Sequence, residues 1–317
     1  MTGAAAFVEA RRRLERKDRS LRDKRMAAKD AAQLVRDGDH IAIGGCLYSR
    51  TPLVTLREIL RAHRVDLTLS RNLMCYEGEL FLVAGAAGTL VTSWIGIGLP
   101  WGLSRITREF VEGGKARFEE WSHLALGLRY KAGAMGLPFL PTLSMLGSDL
   151  LARSGAQTMT CPFTGETLCL VPALFPDVAV IHAHRADCFG NAQIDGYPHM
   201  DADLAAAAAT VILSAEEIVS TDEIRRTADR TQIPFFAVDA VVEAPFGAYP
   251  HECYDRYEAD LDHIGEYARD VAARGAAAVR TYLDAYVYGP ETFDAYLERF
   301  GAGRLLRQQR AAQELTR

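Results

Sequence analysis

Residues 29–61 read KDAAQLVRDGDHIAIGGCLYSRTPLVTLREILR, and this stretch decides the fold class. Lys29 to Arg36 has helical spacing, and Gly38 is placed to end that helix in a left-handed C′ position. His40-Ile41-Ala42-Ile43 is a short apolar run of the kind that forms a buried strand. Gly44-Gly45 turns the chain. Thr51 is a good N-cap and Pro52 suits a first helical turn. Leu53, Leu56, Ile59 and Leu60 then recur at the spacing of one helix face. Strand, tight turn and helix make a β–α unit, the building block of a parallel sheet.

The same alternation continues outward. Val65 to Leu69 and GTLVTS (88–93) read as strands. Ser104 to Val111 reads as a helix closed by Gly113-Gly114, and Leu124 to Met135 as a helix that stops before Leu137-Pro138. VAVIHA (178–183) is a near-continuous apolar run, as expected of a strand covered on both faces. Thr210 to Leu213 and Phe235 to Val242 are further strands, and Tyr286 to Phe300 is helical. The expected fold is α/β, with an open, largely parallel sheet in three layers and a C-terminal helical extension. No repeat or low-complexity linker divides the chain. The expected organisation is a charged N-terminal arm (1–28), an α/β domain (29–285) and a helical extension of that domain (286–317).

With 317 residues, 49% of them hydrophobic, the chain can bury a large core, and 24% charged residues argue against global disorder. The net charge of −5 is the wrong sign for a nucleic-acid protein. One segment differs: RRRLERKDRSLRDKR (11–25) holds nine Arg or Lys against three acids. Acids interleaved at helical spacing favour a solvated helix over an arm that touches RNA, lipid or a partner. No window is long and apolar enough for a membrane span, and Ala4 to Val8 is too short for a secretory h-region. The six cysteines are scattered without a C-x-x-C pair. They are expected to be reduced core thiols of a cytoplasmic protein.

Several places could carry chemistry. Free N–H groups in the Gly44-Gly45 turn, ahead of a helix, could bind an anion or oxyanion; equally, two glycines could simply make a tight turn. The readings predict different fates for a side chain at Gly45: loss of activity with the fold intact, or loss of the fold. Cys46 belongs to the same turn, and Arg50 beyond it could pair a carboxylate or sit on the surface. Gly147-Ser148 in SMLGSDL (144–150) could be a ligand loop at a strand end or another capped turn. His182 and His184 alternate like metal ligands from one strand face, but nothing nearby completes a set, so no metal is expected and His182 is kept as substrate-adjacent. Asp187 to Asn191 reads as a turn. Glu77, Glu79, Glu119 and Glu120 could act as nucleophile or base, or lie in loops and helix ends. Leu47, Tyr48, Trp94 and Trp101 could face a bulky acyl chain or pack in the core.

An ordered set of segments carries a family resemblance: KDAAQLVRDGDHIAIGG (29–45), REIL (57–60), SRITREFVEGGK (104–115), LPFLP (137–141), LGSDL (146–150), VAVIHAHRADCFGNAQI (178–194), ILSAEEIV (212–219), VDAVVEAPFGAYPHECY (238–254) and YLERFGAGRL (296–305). The chain resembles the α subunit of glutaconate CoA-transferase and its relatives, from about Lys29 to about Leu305. The resemblance implies an open α/β fold, an α2β2 heterotetramer formed with a β subunit, and acyl-CoA and carboxylate as substrates with no permanently bound cofactor. It implies a nucleophilic glutamate on the β subunit that passes through an acyl anhydride to a glutamyl-CoA thioester. Gly44, Gly45, Cys46, Arg50, Gly147, Ser148 and His182 would then shape the acyl and CoA site.

A second branch of the family hydrolyses ring carbon–carbon bonds of steroid-derived CoA thioesters. It places an essential glutamate in the α subunit, before the helix that leads into LPFLP. His123 stands at that place here, with Glu120 one helical turn away. Glu120, His123 and Glu79 are therefore the catalytic candidates within this chain. CoA transfer is the expected function, ring hydrolysis the alternative, and a non-catalytic ligand sensor a third reading that lacks a recognisable DNA-binding segment.

Overall fold

The structure, a computed structural model, describes residues 3–98 and 100–315; the outermost residues of the expected arm and tail lie outside the described residues. Twelve strands follow in chain order: β1 His40–Ile43, β2 Leu67–Met74, β3 Ala87–Ile95, β4 Arg117–Glu120, β5 Phe139–Thr142, β6 Gln157–Thr160, β7 Thr167–Pro172, β8 Val178–Ala186, β9 Ala192–Gln193, β10 Thr210–Ile218, β11 Thr231–Ile233 and β12 Ala240–Glu243. Seven of them pair in parallel in the order β12-β10-β8-β1-β2-β3-β4. Short antiparallel strands β9 and β11 extend the sheet beside β8. β5, β7 and β6 form a separate three-stranded antiparallel sheet. The sequence pattern did not anticipate this small sheet.

The side-chain alternation of the central strands builds the three layers. Ile41, Ile43, Val178, Val180 and Ile212 face one core, while Ala42, Ala179, Ile181, Val211 and Leu213 face the other. Successive residues of a strand point to opposite faces, so a run that is apolar throughout is one with helices on both sides. The first core is covered by helices Leu53–Arg61, Tyr76–Val83, Leu261–Arg274 and Ala276–Tyr282. The second is covered by His123–Ala134 and the short helix Asp201–Ala207.

The strand order reverses between β1 and β8. From β1 the chain proceeds to β2, β3 and β4 on one side; from β8 it proceeds to β10 and β12 on the other. The connections therefore part at the carboxyl ends of these two strands and leave a crevice there, the usual ligand position in an open α/β sheet.

Several boundaries differ from expectation, and of the strand expected at Phe235–Val242 only the end is strand, β12, after a 3-10 turn at Phe235–Ala237. The strand expected at 65–69 runs from Leu67 to Met74 and carries Ser70, Arg71 and Asn72 into the crevice end. Helix Leu53–Arg61 has Pro52, not Thr51, at its cap, and no side chain caps it. The C-terminal helices begin at Leu261, and the first two belong to the sheet's own core. Tyr296 and Phe300 of the tail pack with Tyr249 and Tyr257 in a third, aromatic cluster. No helix among the described residues is long and apolar enough to cross a membrane.

The basic N-terminal segment is docked on the protein itself. Lys17 Nζ lies 2.8 Å from Asp239, with the lysine side chain 5% exposed, and Arg13 pairs with Asp177. These acids precede β12 and β8, so the cations neutralise the amino-terminal edge of the sheet. Lys24 is buried, and its Nζ donates to the Phe235 carbonyl at 2.6 Å. Replacing Lys17 by Ala strands a largely buried carboxylate. We expect a loss of about 1–3 kcal/mol in urea denaturation, against no more than about 0.5 kcal/mol for Ala at Arg11, whose pair with Glu15 is exposed.

Candidate active-site cleft

The turn after β1 is held by one buried ion pair. Arg50 and Asp201 are both 1% exposed, and Arg50 Nη1 donates to Asp201 Oδ2 at 2.5 Å. The same guanidinium donates to the His182 carbonyl and to the Tyr197 carbonyl, each at 2.8 Å. The other Asp201 oxygen accepts the Gly45 N–H at 2.8 Å, and the Gly44 N–H is used by the Val180 carbonyl at 2.8 Å. The expected anion cradle is thus not free: both glycine N–H groups are used within the chain. Arg50 likewise is not placed to meet substrate, because its side chain is 1% exposed and held by Asp201 and two carbonyls.

The glycines are required for space. Gly45 has φ +66°, and a Cβ there would collide with the Ser49 carbonyl oxygen. Of the two sequence readings for this turn, the geometry matches the one in which a side chain costs the fold.

A small cleft of about 30 Å³, partly open to solvent, lies at the carboxyl ends of β1 and β2. Gly45 and Cys46 line it from the turn, Asn72 from β2, His123 from the start of its helix, and His199 and Met200 from the loop before Asp201. Cys46 is half-buried, and burial pushes its thiol above the usual range. His123 is exposed at the first position of helix His123–Ala134, which Ser122 caps by accepting the Ala125 N–H at 3.1 Å. The Ser93 hydroxyl donates to the Asn72 carbonyl and lies 3.3 Å from His123 Nδ1. His199 is pushed down to about 4 by burial, with the Arg50 charge as a further cause, so it is neutral near pH 7.

Other candidates lie elsewhere. His182 is buried between Ser214 (2.8 Å) and Glu216 (2.7 Å), and Glu216 also accepts the Phe246 and Gly247 N–H groups. This internal network, not a ligand, is what His182 serves. His184 contacts the Tyr254 carbonyl at 2.8 Å. Gly147 and Ser148 are exposed in a turn after β5, an edge strand of the small sheet, and the Ser148 hydroxyl donates to the Met145 carbonyl. They do not reach the cleft. Asp187 makes the expected turn, accepting the N–H groups of Phe189, Gly190 and Asn191.

Glu120 is the exposed last residue of β4, not a helical neighbour of His123, and borders a separate depression with Ser93, Trp94 and Leu103. Glu79 is fully buried in the core, where Tyr267 donates to it at 2.9 Å. Glu77 pairs with buried Arg71 at 2.6 Å, and Glu119 with Arg129 at 2.7 Å. Tyr48 donates to the Ile97 carbonyl, and Trp101 packs near Gly265; neither lines the cleft.

Two buried trios bring ligand-type atoms within 4.8 Å of one another: His182, Glu216 and Cys253, and Cys75, Glu77 and His251. In the first, histidine and carboxylate are already hydrogen-bonded to their neighbours. In the second, Arg71 supplies the positive charge at Glu77. Neither set is built to receive a cation.

Asn72, Tyr130, His199 and Asp201 were missed from sequence. Ser70-Arg71-Asn72 did carry a signal, because three polar residues in succession at the end of an otherwise apolar strand have to be buried for a reason.

Comparison with known proteins matches residues 24–244 to the family model for Coenzyme A transferase. The α-type chain of glutaconate CoA-transferase from Acidaminococcus fermentans is 34% identical, over 89% of this chain and 93% of that one. The crystal structure of that transferase superposes with a TM-score of 0.85 at 33% identity, covering 89% of this chain and 94% of the other. The corresponding chain of 3-oxoadipate CoA-transferase from Pseudomonas knackmussii is 34% identical, over 86% and 96% of the two chains. The IpdA subunit of a cholesterol ring-cleaving hydrolase from Rhodococcus jostii is 31% identical, over 89% and 98%.

The turn and the buried core acid each give a measurable signature. Gly45→Ala should lower stability by more than about 2 kcal/mol, from clash and φ strain together, with any residual activity tracking the folded fraction; differential scanning calorimetry beside an activity assay checks it. For Glu79, burial raises the carboxyl to about 7, above its unfolded value, so the folded state holds the proton more tightly. Its contribution to stability is then fully present below about pH 4.5 and is lost as pH rises toward 7. Glu79→Gln should remove that loss, gaining on the order of 3 kcal/mol over wild type between pH 4.5 and 7.5. The difference between the two denaturation profiles isolates this group from the buried histidines, whose slope has the opposite sign.

Proposed function

Because the chain belongs to the coenzyme A transferase family, as the α subunit of a class I CoA-transferase, we propose that it builds one wall of an active site whose nucleophile comes from a β subunit. One observation carries the reading. Among the described residues lining the cleft there is no carboxylate, and the nearby Asp201 is spent on Arg50 and Gly45. A glutamate supplied in trans attacks the thioester carbonyl, the C–S bond breaks, and CoA thiolate leaves an acyl anhydride. Thiolate then attacks the glutamyl carbonyl of that anhydride, releasing the first carboxylate and leaving a glutamyl-CoA thioester. The acceptor carboxylate reverses the sequence. Splitting the exchange this way is covalent catalysis.

In this reading Cys46, Asn72, His123 and His199 contact the acyl group, the substrate is a CoA thioester, and two α and two β chains assemble. Exposed apolar side chains on and around the small sheet, including Phe139, Leu143, Met159 and Phe163, support a face covered by a partner. Ring hydrolysis is the weaker reading, since a histidine stands where that branch carries its α-subunit glutamate. Glu120 borders a different depression.

The test is CoA transfer from acyl-CoA donors to acetate, by the chain alone and by the chain co-produced with its β subunit. We expect turnover only from the pair, unchanged by EDTA, and a drop of about tenfold or more in kcat/KM for His123→Ala. Turnover by the isolated chain, or hydrolysis without an acceptor as the main reaction of the pair, contradicts the proposal.

A further inference from the structure

We propose that the cleft at the ends of β1 and β2 selects an acyl group bearing a neutral hydroxyl substituent over one bearing a second carboxylate. This deepens the reading of the cleft as the acyl site and rests on it.

The polar groups of the cleft are the starting point. Asn72 is 5% exposed and Tyr130 1% exposed, and both line the cleft. Asn72 Oδ1 and His199 Nε2 are buried with no hydrogen-bond partner, and the Tyr130 hydroxyl has only a contact with Ser70. The Asn72 amide nitrogen faces the His123 carbonyl at 3.5 Å, which identifies Oδ1 as the unpartnered end. Each buried polar atom left unpaired costs about 1–3 kcal/mol. Two of them, with the Tyr130 phenol beside them, around one cavity mark a place where a ligand completes the hydrogen bonding.

Their chemistry restricts the ligand. Asn72 Oδ1 can only accept, so the ligand must bring a donor. The Tyr130 hydroxyl can donate back to it. An alcohol does both: its O–H donates to Asn72, and its oxygen accepts from Tyr130 or from the neutral His199 ring in the tautomer that carries its proton on Nε2. A carboxylate cannot donate, and its charge would sit against the Asn72 oxygen.

The cleft also lacks a lysine or arginine to offset such a charge. No Lys or Arg is among the described residues lining it. Arg50 is bound to Asp201 and two carbonyls, and Arg71 to Glu77 and Thr51. His199 is neutral near pH 7, as burial holds its ring down to about 4. Burying an unpaired carboxylate is strongly unfavourable. The remaining lining residues include Ile43, Met200 and Leu204, which suit the methylenes of a short chain.

Four-carbon thioesters make the comparison at constant length: 3- and 4-hydroxybutyryl-CoA, succinyl-CoA and butyryl-CoA. With the chain assembled with its β subunit, kcat/KM for transfer to acetate and Kd by calorimetry are measured for each. We expect one of the hydroxy donors to exceed both succinyl-CoA and butyryl-CoA by about tenfold or more, as for one hydrogen bond made or missing in a buried site. Tyr130→Phe or Asn72→Ala should shrink the ratio of hydroxybutyryl to butyryl toward one. Succinyl-CoA equal to or better than the hydroxy donors overturns the proposal, as does an unchanged ratio in folded variants or no binding of any of the four. If no donor is turned over yet a hydroxybutyryl-CoA binds most tightly, the selectivity stands and the transferase reading fails.

Discussion

The buried ion pair between Arg50 and Asp201 is the constraint on which the rest depends. It ties the turn after β1 to the start of helix Asp201–Ala207, which follows β9, beside the place where the strand order reverses. A buried ion pair adds little net stability relative to apolar packing, but removing one partner leaves a charge uncompensated. What it contributes here is position. One carboxylate fixes the Gly45 N–H and the Arg50 guanidinium together, and that guanidinium fixes the carbonyls of His182 and Tyr197. The tight φ at Gly45 and the close approach of the Ser49 carbonyl follow from this packing.

The chemistry of the cleft follows from the same pair. Because Asp201 and Arg50 satisfy each other, neither a free carboxylate nor a free cation faces the substrate. What remains is a thiol, an amide, a phenol and two imidazoles, of which the His199 ring is neutral near pH 7. Such a surface can orient an acyl group and exclude water, but it cannot itself form an anhydride with the substrate. In the proposed reading, the nucleophilic carboxylate then comes from the other side of an interface.

The central sheet was legible in the sequence because burial on both faces leaves an apolar run, as in β8, and because Gly44-Gly45 and Pro52 punctuate the first β–α unit. The small antiparallel sheet was not, since β5 and β6 are short and largely exposed and carry no such pattern. Thr51 looked like a cap, yet its hydroxyl lies 2.5 Å from His251 Nδ1, a residue two hundred positions away that no local rule could supply. The site was half legible. Cys46 and His123 line the cleft as sequence placed them, whereas Arg50 and His182 serve internal networks whose partners, Asp201 and Glu216, are set by tertiary packing. The basic N-terminal segment read as solvated because its charges alternate; the acids it meets lie at distant strand ends.

Where the covalent intermediate forms is the central question, and intact mass measurement reads it directly. The assembled pair is mixed with an acyl-CoA, quenched within a turnover and separated into its two chains. A nucleophile supplied in trans predicts that CoA-sized mass is added to the β chain and none to this one. A CoA adduct on this chain, at Glu120, Cys46 or any other residue, would contradict it.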